Sequence, residues 1–142
     1  MKLLLAISCL LVVATMVRSD LSEVRGKYKL IMEEHIAPCA MEHSVLPTEM
    51  SNFDVATLEG EDRTKFGCMK ACILKRLGVM DESSFKPENF QEVIEKVFTE
   101  PDKVTEQLSL ANYCVEKVKE NTDPCDAAFE FTKCTMTGSI ET

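Results

Sequence analysis

The chain has 142 residues, with 24 acidic against 16 basic side chains and a net charge of −8. That balance excludes the usual electrostatic routes to nucleic acid and to an anionic membrane surface, both of which would repel it. Glycine and proline number five each and are scattered, and no repeat or low-complexity tract interrupts the chain, so a single domain is expected.

Lys2 and the apolar run from Leu3 to Val17 read as a secretory leader, too short for a comfortable membrane span. Val17-Arg18-Ser19 sets the expected cleavage after Ser19, giving a leader at 1–19 and a mature domain at 20–142. A retained membrane anchor is the alternative, but no second apolar run of about 20 residues follows. Cleavage takes away Lys2, Cys9 and Arg18, leaving 123 residues, six cysteines and a net charge of −10. An even set of cysteines in an exported chain is expected to pair fully.

Helical periodicity dominates what remains. A first helix is expected from Leu21 to Ile36, with Leu21, Val24, Tyr28, Ile31, Met32 and His35 on one stripe, ended or kinked by Pro38. Residues 44–60 are weaker, with Thr48 as cap of a short helix carrying Met50 and Phe53, and Gly60 as a break. A third helix spans Asp62 to Leu77, presents Phe66, Met69, Ile73 and Leu77, and stops at Gly78. A fourth starts near Pro87 and carries Phe90, Val93, Ile94, Val97 and Phe98 at helical spacing. Pro101 opens a fifth helix to about Glu120, with Val104, Leu108, Ala111, Val115 and Val118 inward. Asp123-Pro124 caps and starts a sixth, which carries Cys125, Ala128, Phe129, Thr132 and Cys134 and stops before Gly138. The expected fold is all-α, with about six helices.

The mature cysteines are spaced C-x28-C-x3-C-x41-C-x10-C-x8-C. Cys68 and Cys72 are four apart, so they leave one helix face on successive turns and are poorly placed to bridge each other. Each is expected to reach a different helix. Zinc held by these cysteines with His35 or His43 is disfavoured, because closely spaced ligand pairs are missing and export meets an oxidising compartment. Spacing alone leaves 15 possible pairings.

The whole pattern, above all the x3 and x8 intervals, resembles that of the six-cysteine group of insect odorant-binding proteins, the pheromone and general odorant-binding family. The likeness covers the mature chain from the first helix to Cys134. It implies interlocked bridges Cys39–Cys72, Cys68–Cys125 and Cys114–Cys134, and helices folded around an internal apolar pocket that shelters a poorly soluble ligand.

No catalytic motif competes with that reading. There is no Gly-x-Ser-x-Gly, His-Glu-x-x-His, phosphate-cradling loop or calcium-loop spacing, and a secreted helical phospholipase would need a His-Asp dyad that is missing. No enzyme activity, cofactor or metal is expected. His35 and His43 read as partly exposed histidines without a role. The sharper alternative is that their protonation loosens ligand in an acidic microenvironment.

All seven phenylalanines lie in the mature domain, and Met50, Met69, Met80 and Met136 add adaptable apolar surface. Taken singly they would fill a core; with the resemblance they become pocket candidates. The expected lining is Met50, Phe53, Met69, Ile73, Leu77, Phe90, Ile94, Phe98, Leu108 and Phe129, with the Tyr113 hydroxyl as polar handle. The tail from Thr135 to Thr142 is too short and too hydroxylated for the extra C-terminal helix that longer family members use as a plug. Met136 or Ile140 as a lid contact is the milder alternative. The function expected is a secreted carrier of small hydrophobic molecules, serving an olfactory receptor. The competing class is a secreted interaction protein of a gland, venom or reproductive fluid on the same scaffold. Monomer and weak homodimer both stay open.

Overall fold

The computed structural model describes residues 23, 24 and 26–138. The expected leader, Leu21 and Ile140 lie outside the described residues. Six helices dominate among those described: α1 over 26–42, with 23 and 24 also helical, α2 at Pro47–Asn52, α3 at Gly60–Arg76, α4 at Pro87–Val97, α5 at Pro101–Val118 and α6 at Pro124–Thr137. A short antiparallel hairpin, β1 at Met80–Asp81 and β2 at Ser84–Phe85, joins α3 to α4 and pairs Met80 with Phe85. No helix of the described residues is long and apolar enough to cross a membrane.

Of the two expectations for Pro38, an end or a kink, the end does not occur. The helix runs through it to residue 42. A mid-helix proline forfeits the bond to the carbonyl of residue 34 and costs about 3 kcal/mol. Burial of Cys39 and Ala40 in the turn that follows, and the bond from Cys39 to α3, offset that loss. Ser44 then takes the left-handed conformation, φ 55°. The Ser44 N–H donates to the Met41 carbonyl and Val45 N–H to that of Ala40, while the Val45 side chain enters the core. Gly78 closes α3 with the same device: φ 75°, Gly78 N–H to Lys75 and Val79 N–H to Leu74, with Val79 buried beyond it.

The start signals act through their chemistry. Proline occupies the first turn of α2, α4, α5 and α6, where its missing N–H has no helical partner to lose. Asp123 caps α6 by accepting the Asp126 N–H at 2.8 Å. Thr48 is not the cap of α2. The helix begins one residue earlier, at Pro47, and the Leu46 N–H donates to the Glu49 carboxylate at 2.7 Å.

Three disulfides tie the helices in series. Cys39–Cys72 joins α1 to α3, Cys68–Cys125 joins α3 to α6, and Cys114–Cys134 joins α5 to α6. These are the pairs that the resemblance implied, and Cys68 and Cys72 do have separate partners. Gly67 explains how α3 and α6 come close enough for the middle bridge: a Cβ there would collide with the Cys125 carbonyl and press on Phe129. The Cα atoms of Cys68 and Cys125 are 4.2 Å apart.

The interior divides into two main apolar bodies. One collects Met32, Val45, Val55, Phe66, Met69, Ile73 and Phe129, with Met50 and Phe53 against it. Its rings meet edge to face, Phe53 on Phe66 at 5.5 Å and Phe66 on Phe129 at 6.1 Å. The other collects Val79, Phe90, Ala111, Val115, Val118 and Phe131, with Phe85, Val93, Ile94 and Leu108 against it. Here the Phe85 and Phe131 ring centroids lie 4.6 Å apart. Leu77 touches both bodies.

At the rim of the first body, Arg63 stacks over the Phe129 ring, pairs with Glu130 at 2.7 Å and contacts Asp126, which also accepts from Asn121. The bond from Asn121, then those and the charge of Arg63, outweigh partial burial and hold the Asp126 carboxyl below the usual carboxylate range. A depressed carboxyl adds stability that is present above its unfolded-state pKa and is lost as pH falls through the lower folded-state value. Wild-type protein should therefore lose stability below about pH 4, and D126N should lose less over the same window. Urea melts across that range check it; parallel curves for the two proteins would refute the assignment.

Candidate functional site

Side chains on five helices line a half-open, largely apolar cavity of about 370 Å³. Helix α1 contributes Val24, Tyr28, Ile31 and Met32, the inward stripe of its N-terminal half. From α3 come Leu74 and Leu77, with Val79 just beyond the glycine stop. Helix α4 supplies the widest apolar wall, Phe90, Val93, Ile94 and Val97, followed by Phe98 at its end. Gln107, Leu110 and Ala111 of α5 and Phe131 and Thr135 of α6 complete the lining. The volume is within the usual range for small-molecule sites, about 300–1,000 Å³.

A second cavity of about 370 Å³ adjoins the first and shares Val24, Val97, Phe98 and Gln107 with it. Its remaining lining is polar: Glu23 and Lys27 of α1, Thr99, Glu100, and Lys103 of α5. The Lys27 ammonium pairs with Glu23 at 2.7 Å. The first space is a mostly apolar chamber and the second a vestibule edged by charged side chains, with those four residues common to both linings.

The expected lining residues sort between the two interior bodies. Leu77, Phe90, Ile94 and Phe98 line the chamber. Met50, Phe53, Met69, Ile73 and Phe129 belong to the other body and border neither space. Leu108 packs against the second body without reaching the chamber. Tyr113 is 44% exposed, on a polar groove between α5 and α6 with the Lys117 ammonium 5.0 Å from its ring centre. Met136 is 68% exposed and lines none of these spaces. Periodicity identifies an inward face, but it does not say which of two cores that face meets.

Sequence reasoning passed over Gln107 and the α1 wall. The stripe Val24, Tyr28, Ile31, Met32 was legible as inward and could have been assigned to the site. Gln107 carries the sharper signal, an uncharged polar residue four positions before Ala111 on one helix face. Local desolvation pushes the Tyr28 hydroxyl above its ordinary pKa, while half of the residue's surface is exposed at the edge of the wall.

Neither histidine borders the chamber or the vestibule. His35 is more buried than expected, its side chain 15% exposed, with Nε2 3.4 Å from the Glu34 carboxylate and Nδ1 without a hydrogen-bond partner. His43 lies with Glu42 and Cys72, the one group of three metal-ligand side chains that converges among the described residues. The Cys72 sulfur is bonded to Cys39, so that trio lacks a thiolate.

The chain matches the family model of the PBP/GOBP family over residues 22–138. It is 30% identical over 109 residues to general odorant-binding protein 19d of Drosophila melanogaster, covering 73% of this chain and 71% of that protein. It is 25% identical over 113 residues to pheromone-binding protein Gp-9 of Solenopsis invicta, covering 72% and 71%. The same figures hold for Gp-9 of Solenopsis quinquecuspis.

Proposed function

The chain belongs to the PBP/GOBP family, and from that premise we propose that it is a secreted carrier that takes up small hydrophobic molecules and solubilises them for transport. The observation that carries the reading is the chamber itself: a half-open, largely apolar space whose walls come from five helices. The disulfides tie α1, α3, α5 and α6 in series. That covalent frame opposes the collapse that would otherwise fill the space with side chains.

Burial of a chain of about 10–16 carbons at about 0.8 kcal/mol per CH₂, offset by ordering costs, leaves about −8 kcal/mol. That corresponds to micromolar binding. Residues 1–19 are the leader removed on export and 20–142 the working domain, which acts outside the cell, without catalysis, and hands its cargo to an olfactory receptor. The names of its relatives, pheromone-binding and general odorant-binding proteins, support an olfactory cargo.

The test is titration of the protein with the dye N-phenyl-1-naphthylamine, followed by displacement with long-chain odorant-like compounds. Saturable binding with a Kd of about 1–10 μM and displacement by at least one compound are expected. A folded, helical protein that binds neither dye nor any compound would overturn the carrier reading and favour an interaction protein on the same scaffold.

A further inference from the structure

We infer that the outward face of α1 is a docking surface for a basic amphipathic segment of a partner protein. Leu30 and Met41 are its apolar anchors, and Glu33, Glu34 and Glu42 its charged rim. The inference goes beyond the carrier reading and uses no residue that lines the chamber or the vestibule.

Leu30, Ala37 and Met41 are spaced seven and four apart, so they share one face of α1 along about 16 Å of helix. Leu30 is 72% exposed and Met41 82%, and Ala37 between them is exposed as well. The opposite face carries Met32 and Cys39, both buried in the first interior body. That buried stripe is all that packing α1 onto the core requires. The outer stripe is therefore a second apolar face, and nothing in the described residues covers it.

Charge names the partner. Residues 30–62 hold eight acidic side chains and neither lysine nor arginine, while the rest of the chain holds 16 of each sign. The whole net charge of −8 thus falls on this one stretch, between Lys29 and Arg63. Glu33 and Glu34 sit between Leu30 and Ala37, and Glu42 follows Met41; all three are exposed. Glu34 and Glu42 face only their neighbouring histidines, at 3.4 and 3.8 Å, and no lysine or arginine pairs with any of the three among the described residues.

That rim separates the possible occupants. A second copy of the chain docked on the same face would set these carboxylates against one another, and an anionic lipid surface would be repelled. A cationic segment with an apolar stripe of its own meets neither opposition: it neutralises the rim while it covers Leu30 and Met41. A face of about three turns is small, so the association is transient.

The probe is a fluorescein-labelled peptide of leucine and lysine, with leucines at i, i+3, i+4 and i+7, set against a scrambled peptide of the same composition. Wild-type protein should bind the first with a Kd of about 10–100 μM in low salt and the second several-fold more weakly. Leu30→Gln with Met41→Gln should weaken binding at least about fivefold. Glu33→Gln with Glu34→Gln should weaken it about threefold and flatten its salt dependence. Met136→Gln and Glu88→Gln, at exposed positions elsewhere, should leave it unchanged. All four substituted positions of α1 are exposed, so circular dichroism should match wild type.

No binding, equal binding of the scrambled peptide, or an equal loss in the Met136 or Glu88 variant overturns the proposal. A dimer seen by sedimentation and dissolved by Leu30→Gln with Met41→Gln assigns the face to a second copy and also overturns it. Binding to phosphatidylcholine vesicles that the same pair abolishes does so in favour of lipid. Dye affinity should be unchanged in every one of these variants, so the carrier reading and this proposal stand or fall separately.

Discussion

Replacing Cys68 and Cys125 together by alanine should lower the stability of the protein by about 4 kcal/mol, from the loop-closure entropy of a 57-residue separation. That loss is a large part of the 5–15 kcal/mol by which a domain is ordinarily stable, so the melting midpoint should fall by more than about 10 °C. This bridge is the middle link of the series that runs from α1 through α3 and α6 to α5. It also sits beside Gly67, where α3 and α6 come closest. Replacing Cys114 and Cys134, which close only 20 residues, should cost less, about 3 kcal/mol. Urea unfolding of both double variants against wild type measures the difference. A Cys68/Cys125 variant as stable as the parent would mean that packing alone fixes the α3–α6 interface.

The second large effect concerns binding. Phe98→Glu should reduce affinity for an apolar dye by at least about 30-fold, because it removes an aromatic face and sets a carboxylate in the largely apolar lining of the chamber. Phe98 is only partly buried and caps the end of α4, so helicity should survive the change. Phe53→Leu is the informative contrast. Phe53 meets Phe66 edge to face in the other interior body, and its loss should lower stability while leaving dye affinity within about twofold. Dye titration and circular dichroism on both variants separate the cases. Loss of binding with Phe53→Leu and none with Phe98→Glu would move the site to the first body.

Element boundaries were legible wherever a residue's own covalent chemistry decides them. Pro87, Pro101 and the Asp123-Pro124 pair start helices because their missing N–H groups or capping oxygens act locally. Gly78 stops one because the left-handed backbone it adopts is unhindered there. Pro38 did not end its helix because part of what holds the following turn is distant in sequence: Cys39 is bonded to Cys72, 33 positions on. The two-residue strands at Met80 and Ser84 are too short for alternation to appear, and Glu82 turns between them with φ 51°. The cysteine pairs came from likeness to a family, since spacing alone left many.

The site was half legible for a different physical cause. Each helix shows its apolar stripe, yet the seven phenylalanines divide by tertiary placement into Phe53, Phe66 and Phe129 on one side, and Phe85, Phe90 and Phe131 on the other. Phe98 stands apart, on the lining that both spaces share. Nothing in a stripe's period distinguishes these destinies, so half of the expected lining fell on residues that fill a core.

Of the five helical walls of the chamber, α4 carries no cysteine, while each of the other four is bonded to a neighbour. It also presents the broadest apolar face to the chamber. Displacing it breaks only packing and hydrogen bonds, with no covalent bridge to hold it in place. If the chain carries a cargo as proposed, all five walls would set its affinity, but the untethered helix would set how fast it leaves.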